Sequence, residues 1–226
     1  MIVICGTARG GSTLLWQICD QICKDYDWES ITDQNTLFSK VRGLAGTNTI
    51  LKTYFMYNQQ NSDIETKSGD IILVAKRDPR DCATSSIKKK FNFPDQDRTV
   101  GYITHLAKQA VDQYEFFAHK PNAHIIKYED YLDNRIKLIE HIAEIIGLPC
   151  DQNKIEEIYE YTSLENQIHR SDHAMGSMDL ISMITAQHIT DGGSGAWKEF
   201  LRPEEVSSIH DAIGDWLIAN GYEIEV

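Results

Sequence analysis

The chain is 226 residues long, which suits one α/β domain or one domain with an appended cap. A hydrophobic content of 42% with 25% charged residues is ordinary for a soluble globular protein. The formal net charge of −12 argues against general nucleic-acid binding and requires any anion site to be a local basic patch.

Ile2, Val3, Ile4 and Cys5 are continuously apolar and mostly β-branched, the pattern of a parallel strand buried on both faces. A turn with Gly6, Gly10 and Gly11 follows, and Ser12 and Thr13 lead into a helix expected over residues 14–24. Such a turn is an anion cradle. Backbone N–H groups converge at the positive end of a helix dipole, and Arg9 adds a planar fork of donors suited to phosphate or sulfate oxygens. Gly6, Gly11 and Thr13 fall where the nucleotide-phosphate loop G-x4-G-K-[ST] has its glycines and hydroxyl, but Ser12 stands in the lysine position and Arg9 is the only cation of the loop. Leu14, Leu15, Ile18, Cys19, Ile22 and Cys23 recur at helical spacing and form a face toward the sheet. Trp16 lies off that stripe, as a partly exposed packing residue or a platform for a base.

Residues 25–33 are polar and acidic without clear period and read as a loop at the sheet's carboxyl edge, where open α/β sheets bind ligands. Glu29 and Asp33 are candidate general bases there, or part of a solvated acidic loop. A second strand is expected over residues 49–53, with Lys52 near its end, and a third over residues 70–75. The third runs into the most basic stretch of the chain, Lys76 to Lys90, in which Arg77 and Arg80 flank Pro79 and Ser85 lies on the next helix. The same stretch also reads as an Arg/Asp salt-bridged helix start.

Residues 99–119 read as a long helix, residues 123–128 as a strand, residues 133–147 as an amphipathic helix, and residues 154–161 as a helical turn or two. Residues 163–195 lose periodicity and read as a mobile loop or cap; His169, His173 and His188 within it lack metal-ligand spacing. Pro203, Glu204 and Glu205 start a closing helix. Strands alternating with helices give one domain over residues 1–226, a three-layer α/β/α fold with a central parallel sheet of the P-loop nucleotide-hydrolase type. No segment is long enough to span a membrane, Met1 leads straight into a core strand, and Cys5, Cys19, Cys23, Cys82 and Cys150 read as free thiols. A cytoplasmic protein is therefore expected.

Arg9 to Thr13, Lys52 with Thr53, Arg77 to Asp81, Ser85, and Tyr128 with Glu129 and Asp130, taken in order, resemble the sulfotransferases that use 3′-phosphoadenosine 5′-phosphosulfate (PAPS). The resemblance implies that Arg9, Gly10, Gly11, Ser12 and Thr13 hold the 5′-phosphosulfate and that Arg9 and Lys52 stabilise charge at the transferring sulfuryl group. It places the 3′-phosphate on Arg77 and Ser85, and the adenine near Tyr128 and Thr162. Gly192, Gly193, Ser194, Gly195, Ala196, Trp197 and Lys198 resemble the family's late Gly-x-x-Gly-x-Trp-Lys element. PAP (adenosine 3′,5′-bisphosphate) would be the product, a small or exposed hydroxyl or amine compound the acceptor, and no metal is expected. Sulfuryl carries less charge than phosphoryl, so fixed cations and N–H donors suffice, and the strand before Arg77 ends in Lys76 instead of a metal-binding aspartate.

Departures from the family pattern fall in identifiable places. Tyr54 replaces the histidine that follows Lys-Thr in cytosolic members, Thr190 and Asp191 replace a late Arg-Lys pair, and Leu14 replaces an aromatic after the loop hydroxyls. Tyrosine-modifying members use a glutamate about twenty residues beyond the loop arginine, the spacing of Glu29 from Arg9, which makes Glu29 the first candidate base, ahead of His105 and Tyr54. Two other readings stand beside this one: a magnesium-dependent P-loop kinase or nucleotide hydrolase, and a non-catalytic PAPS- or PAP-binding module.

Overall fold

The computed structural model describes residues 1–33, 48–53, 69–88, 98–173, 184 and 192–224. Among these, the strands are β1 (Ile2–Gly6), β2 (Glu29–Asp33), β3 (Thr49–Thr53), β4 (Ile71–Lys76) and β5 (Ala123–Lys127). They form one sheet in the order β2-β3-β1-β4-β5 with every pairing parallel. The central position of β1 explains its apolar run: both faces are covered, and Ile2, Val3, Ile4 and Cys5 are each at most 1% exposed.

The helices are α1 (Ser12–Cys23), α2 (Pro79–Lys88), α3 (Val100–Ala118), α4 (Arg135–Ile146), α5 (Gln152–Tyr161), α6 (Leu164–His173), the single turn α7 (Trp197–Phe200) and α8 (Pro203–Ala219). Alternation along β1 divides the core. Ile2 and Ile4 pack with α1, α4 and α5 on one face, while Val3 and Cys5 pack with Phe117 of α3 on the other. A third cluster joins α2, α3, α7 and α8 outside α3. These are the three layers expected, and no helix among the described residues is long and apolar enough to cross a membrane.

Three expectations change. Residues 29–33 are a strand, at the edge of the sheet among the described residues: β2 pairs along its length with β3, and Ile31 is its one apolar residue. The segment 163–195 contains a helix, α6, started by the Ser163 hydroxyl, which accepts from Asn166 N at 3.2 Å. It is tied to α1 by a reciprocal buried amide pair, Gln17 with Gln167 at 3.2 and 2.8 Å. Trp16 is 3% exposed and sits in the core, because α1 is enclosed by the sheet on one side and by α4 and α5 on the other. Tyr54, His188, Thr190 and Asp191 lie outside the described residues.

Candidate active site

The turn from β1 into α1 has the geometry of an anion cradle. Gly6 has φ 125°, and a Cβ there would come 2.3 Å from the Ala75 carbonyl oxygen, so only glycine lets β1 leave the sheet beside β4. Gly11, at φ 98°, caps α1 without any side-chain acceptor, which leaves the first N–H groups of the helix available to an anion. A Cβ on Gly11 would meet the Tyr128 ring at 2.9 Å. Arg9 sits at φ 65°, a left-handed conformation unusual for arginine and maintained by the contacts around it.

Those contacts come from distant segments. Ala8 N donates to Gln113 Oε1 of α3 at 2.8 Å, and the Thr7 hydroxyl meets Cys82 Sγ at 3.6 Å. Arg77 Nη1 donates to the Arg9 carbonyl at 3.0 Å and Nη2 to the Gly193 carbonyl at 2.8 Å, with the guanidinium 4.5 Å from the Tyr128 ring centroid. The Arg9 side chain turns toward α2, where its Nε donates to Ser85 Oγ at 3.0 Å. From β3, Lys52 is fully buried and its Nζ donates to Thr13 Oγ1 at 2.7 Å. Burial, with Arg9 adding to it, pushes the Lys52 ammonium down to about 7. Arg77 Nε is buried with no hydrogen-bond partner, an unused donor that an anionic ligand would satisfy.

The remaining motif residues are the scaffold of this cradle. Asp81 is 1% exposed and accepts from Gly195 N at 2.7 Å and Trp197 N at 3.1 Å, fixing the late glycine segment beside α2. Arg80 pairs with Asp78 at 2.7 Å and lies 3.8 Å from the Trp197 ring centroid. The two readings of this basic stretch are thus divided between its arginines: Arg80 makes the salt-bridged helix start, and Arg77 faces the loop. Glu129 accepts from Asp78 N at 2.8 Å, and Tyr128 Oη donates to the Gly192 carbonyl at 2.5 Å. Gly10, Gly11, Tyr128 and Gly192 thereby line one cleft together with Arg135, a residue that sequence reasoning passed over.

Other candidates are not brought here. The register pairs Glu29 with Thr49, at the amino ends of the strands, whereas Lys52 pairs with Ile4 and the loop leaves from the carboxyl ends. Glu29 is exposed at the end of the sheet opposite the loop, so its spacing from Arg9 misleads: the 3₁₀ turn Lys24–Tyr26 returns the chain to start β2 at that end. Asp33, paired with Thr53, is the acidic residue whose backbone reaches the carboxyl edge. His105 is exposed on α3. Thr162 is 1% exposed and its hydroxyl donates back to the Ile158 carbonyl at 2.7 Å; its own carbonyl accepts from Arg135 Nη1 at 2.5 Å. No His, Cys, Asp or Glu cluster able to hold a metal occurs among the described residues.

Comparison with known proteins gives one consistent result. A search of curated proteins finds no match. Among solved structures, mouse sulfotransferase SULT7A1 complexed with PAP superposes with a TM-score of 0.68 at 14% identity, over 96% of this chain and 83% of that one. Retinol dehydratase with androsterone and the inactive cofactor PAP gives 0.66 at 18% identity, over 96% and 80%. Its complex with retinol and PAP gives 0.65 at 18% identity, over the same shares. The family profile described as the sulfotransferase domain matches residues 1–221, and the chain belongs to that family.

Proposed function

We propose that this PAPS-dependent sulfotransferase transfers its sulfuryl group at the carboxyl edge of β1 and β3, with Arg9 and Lys52 as the cations that stabilise the developing charge. The carrying observation is the convergence of Lys52, Thr13 and Arg9 at the N-terminus of α1, where Lys52 Nζ lies 2.7 Å from Thr13 Oγ1. Gly10, Gly11, Ser12 and Thr13 would hold the 5′-phosphosulfate, and Arg77 and Ser85 the 3′-phosphate; the partnerless Arg77 Nε and the uncapped α1 N-terminus fit that load. PAPS supplies a sulfuryl group on a phosphate leaving group. The acceptor oxygen or nitrogen attacks the sulfur, the bond from sulfur to the phosphate oxygen breaks, and fixed cations balance the charge arriving on that oxygen.

The acceptor's proton needs a base at the same edge, and the register favours Asp33 over Glu29 for this role. Structures of retinol dehydratase hold androsterone or retinol beside PAP, and a small hydroxyl- or amine-bearing acceptor is the corresponding reading here. All five cysteines are free, as suits a cytoplasmic enzyme. Calorimetry tests the donor: metal-free binding of PAP is expected, and binding only of ATP with magnesium would sink the reading. A mass-spectrometric screen for sulfated acceptors in the presence of PAPS tests the transfer, and PAP binding with no transfer to any acceptor would leave a binding module.

A further inference from the structure

Within the loop, Gly10 N donates to the Thr7 carbonyl at 2.8 Å, which closes a β-turn with Ala8 and Arg9 at its centre. Arg9 has φ 65°, whereas the φ of Ala8 is not positive. That combination belongs to the type II turn, whose second central residue is ordinarily glycine or asparagine because a Cβ there is strained. The turn is also tight. Thr7 is buried within it, and a Cβ on Gly10 would lie 1.8 Å from Thr7 Oγ1. Arginine occupies the strained position for its side chain, so contacts from outside the turn have to hold its backbone there.

One such contact comes from α3. Its buried residues are Ile103, Ala107, Ala110, Val111 and Phe117, with Gln113 as the one polar side chain among them. A buried amide costs stability unless it is hydrogen-bonded, and Gln113 Oε1 accepts from Ala8 N at 2.8 Å, across a separation of 105 residues. This bond turns the Ala8 N–H away from any anion. With Gly10 N on the Thr7 carbonyl as well, two N–H groups of the loop are committed to protein acceptors, and an anion is left with the first turn of α1 and the Arg9 guanidinium. Where that guanidinium stands depends on the turn that carries it. We propose that Gln113 is a positioning residue for sulfuryl transfer: by holding Ala8 N it keeps the turn in the conformation that strains Arg9, and so keeps the Arg9 side chain beside Ser85, to which its Nε donates at 3.0 Å. The proposal rests on the reading of Arg9 as a cation of the transfer.

Calorimetry with PAP on single and double variants tests it. Gln113→Leu keeps the size and removes the acceptor, and is expected to lose about tenfold in PAP affinity, the scale of a side-chain-bearing residue's preference against the left-handed region. With an acceptor found by the mass-spectrometric screen, kcat should fall by a similar factor while the KM of that acceptor stays at the wild-type value. Glycine adopts a positive φ without strain, so Arg9→Gly, weaker in PAP binding on its own, should lose less than about twofold more when Gln113→Leu is added. Proline at position 8 has no N–H and presets the first central residue of the turn, so Ala8→Pro combined with Gln113→Leu should recover most of the lost affinity. PAP binding by Gln113→Leu indistinguishable from wild type overturns the proposal. So does an equal loss in the Arg9 and Arg9→Gly proteins, which would make Gln113 a packing residue of α3, and so does a loss that proline fails to recover. These outcomes, with normal PAP binding by wild type, overturn this proposal alone; no PAP binding by wild type overturns the donor reading and this proposal together.

Discussion

The two sides of the carboxyl edge are built on different terms. Toward β1, β4 and β5, the loop, the Arg77 to Asp81 turn, Tyr128 with Glu129, and the late glycine segment are joined by buried charged hydrogen bonds, with Asp81 and Arg77 as the connectors. Toward β2, among the described residues, the sheet ends in a strand with one apolar residue and a single neighbour. Under the function proposed above, the first side holds a highly charged donor, and desolvated cations need fixed partners to stay in place. Under the same proposal the second side supplies the base. If that contrast is right, damage on the donor side should be large and charge-specific, and damage on the β2 side should depend on which end of the strand is changed.

Arg9→Ala is the largest expected effect: about a thousandfold or greater loss in kcat, in the range for removing a preorganised charge from a transition state. Because Arg9 is half-buried and its backbone is held by Ala8 N and Arg77, little change in melting temperature should accompany it. Turnover near wild type in this variant would break the donor side of the comparison. Next comes Asp33→Asn on the β2 side, with a rate loss of about a hundredfold or more if Asp33 is the base. A normal rate there would move the base to another segment.

Lys52 gives a smaller effect that is read in pH. Its ammonium titrates near 7 in the folded protein because burial and Arg9 disfavour the charge. In the unfolded chain it titrates near the ordinary lysine value, so between these two pH values the unfolded state holds the extra proton and stability rises with pH. Donor binding runs the other way. An anion at the loop needs the charged lysine, so PAP affinity should fall above pH 7, by up to about tenfold per unit, with proton uptake visible as a dependence of calorimetric enthalpy on the buffer. Lys52→Met should flatten that dependence; if it persists unchanged, another group carries it.

The residues that converge at the loop were legible in the sequence because close approach and charge dictate residue types at fixed places. Gly6 and Gly11 are required by close backbone approach, and Arg9, Lys52 and Arg77 by charge. Roles around the loop were less legible. Asp81 and Arg80 read as a local ion pair, but Asp81 spans to Gly195 and Trp197, a contact between segments that spacing does not reveal. α6 escaped notice because its buried face meets α1 through the Gln17 and Gln167 amides instead of an apolar stripe. Arg135 carries no motif in the sequence, and only the fold brings Thr162 and Tyr128 beside it. Trp16 lay off the apolar stripe, but α1 is covered on more than one side.

The smallest expected effect is also the one that sharpens the comparison most. Glu29 and Asp33 lie on one strand four residues apart, about 13 Å along a parallel strand. Both variants remove one carboxylate, so loss of net charge cannot separate them, and only position along the sheet does. Glu29 is exposed and opens the strand at the amino end, so Glu29→Gln should leave kcat, KM and melting temperature at wild-type values. The pairing of Glu29 with Thr49 and of Asp33 with Thr53 is what makes the two variants unequal. A strand slipped or reversed relative to this register would make Glu29→Gln the damaging change. A rate loss in Glu29→Gln with none in Asp33→Asn would therefore overturn the placement of β2 itself, along with the choice of base that depends on it.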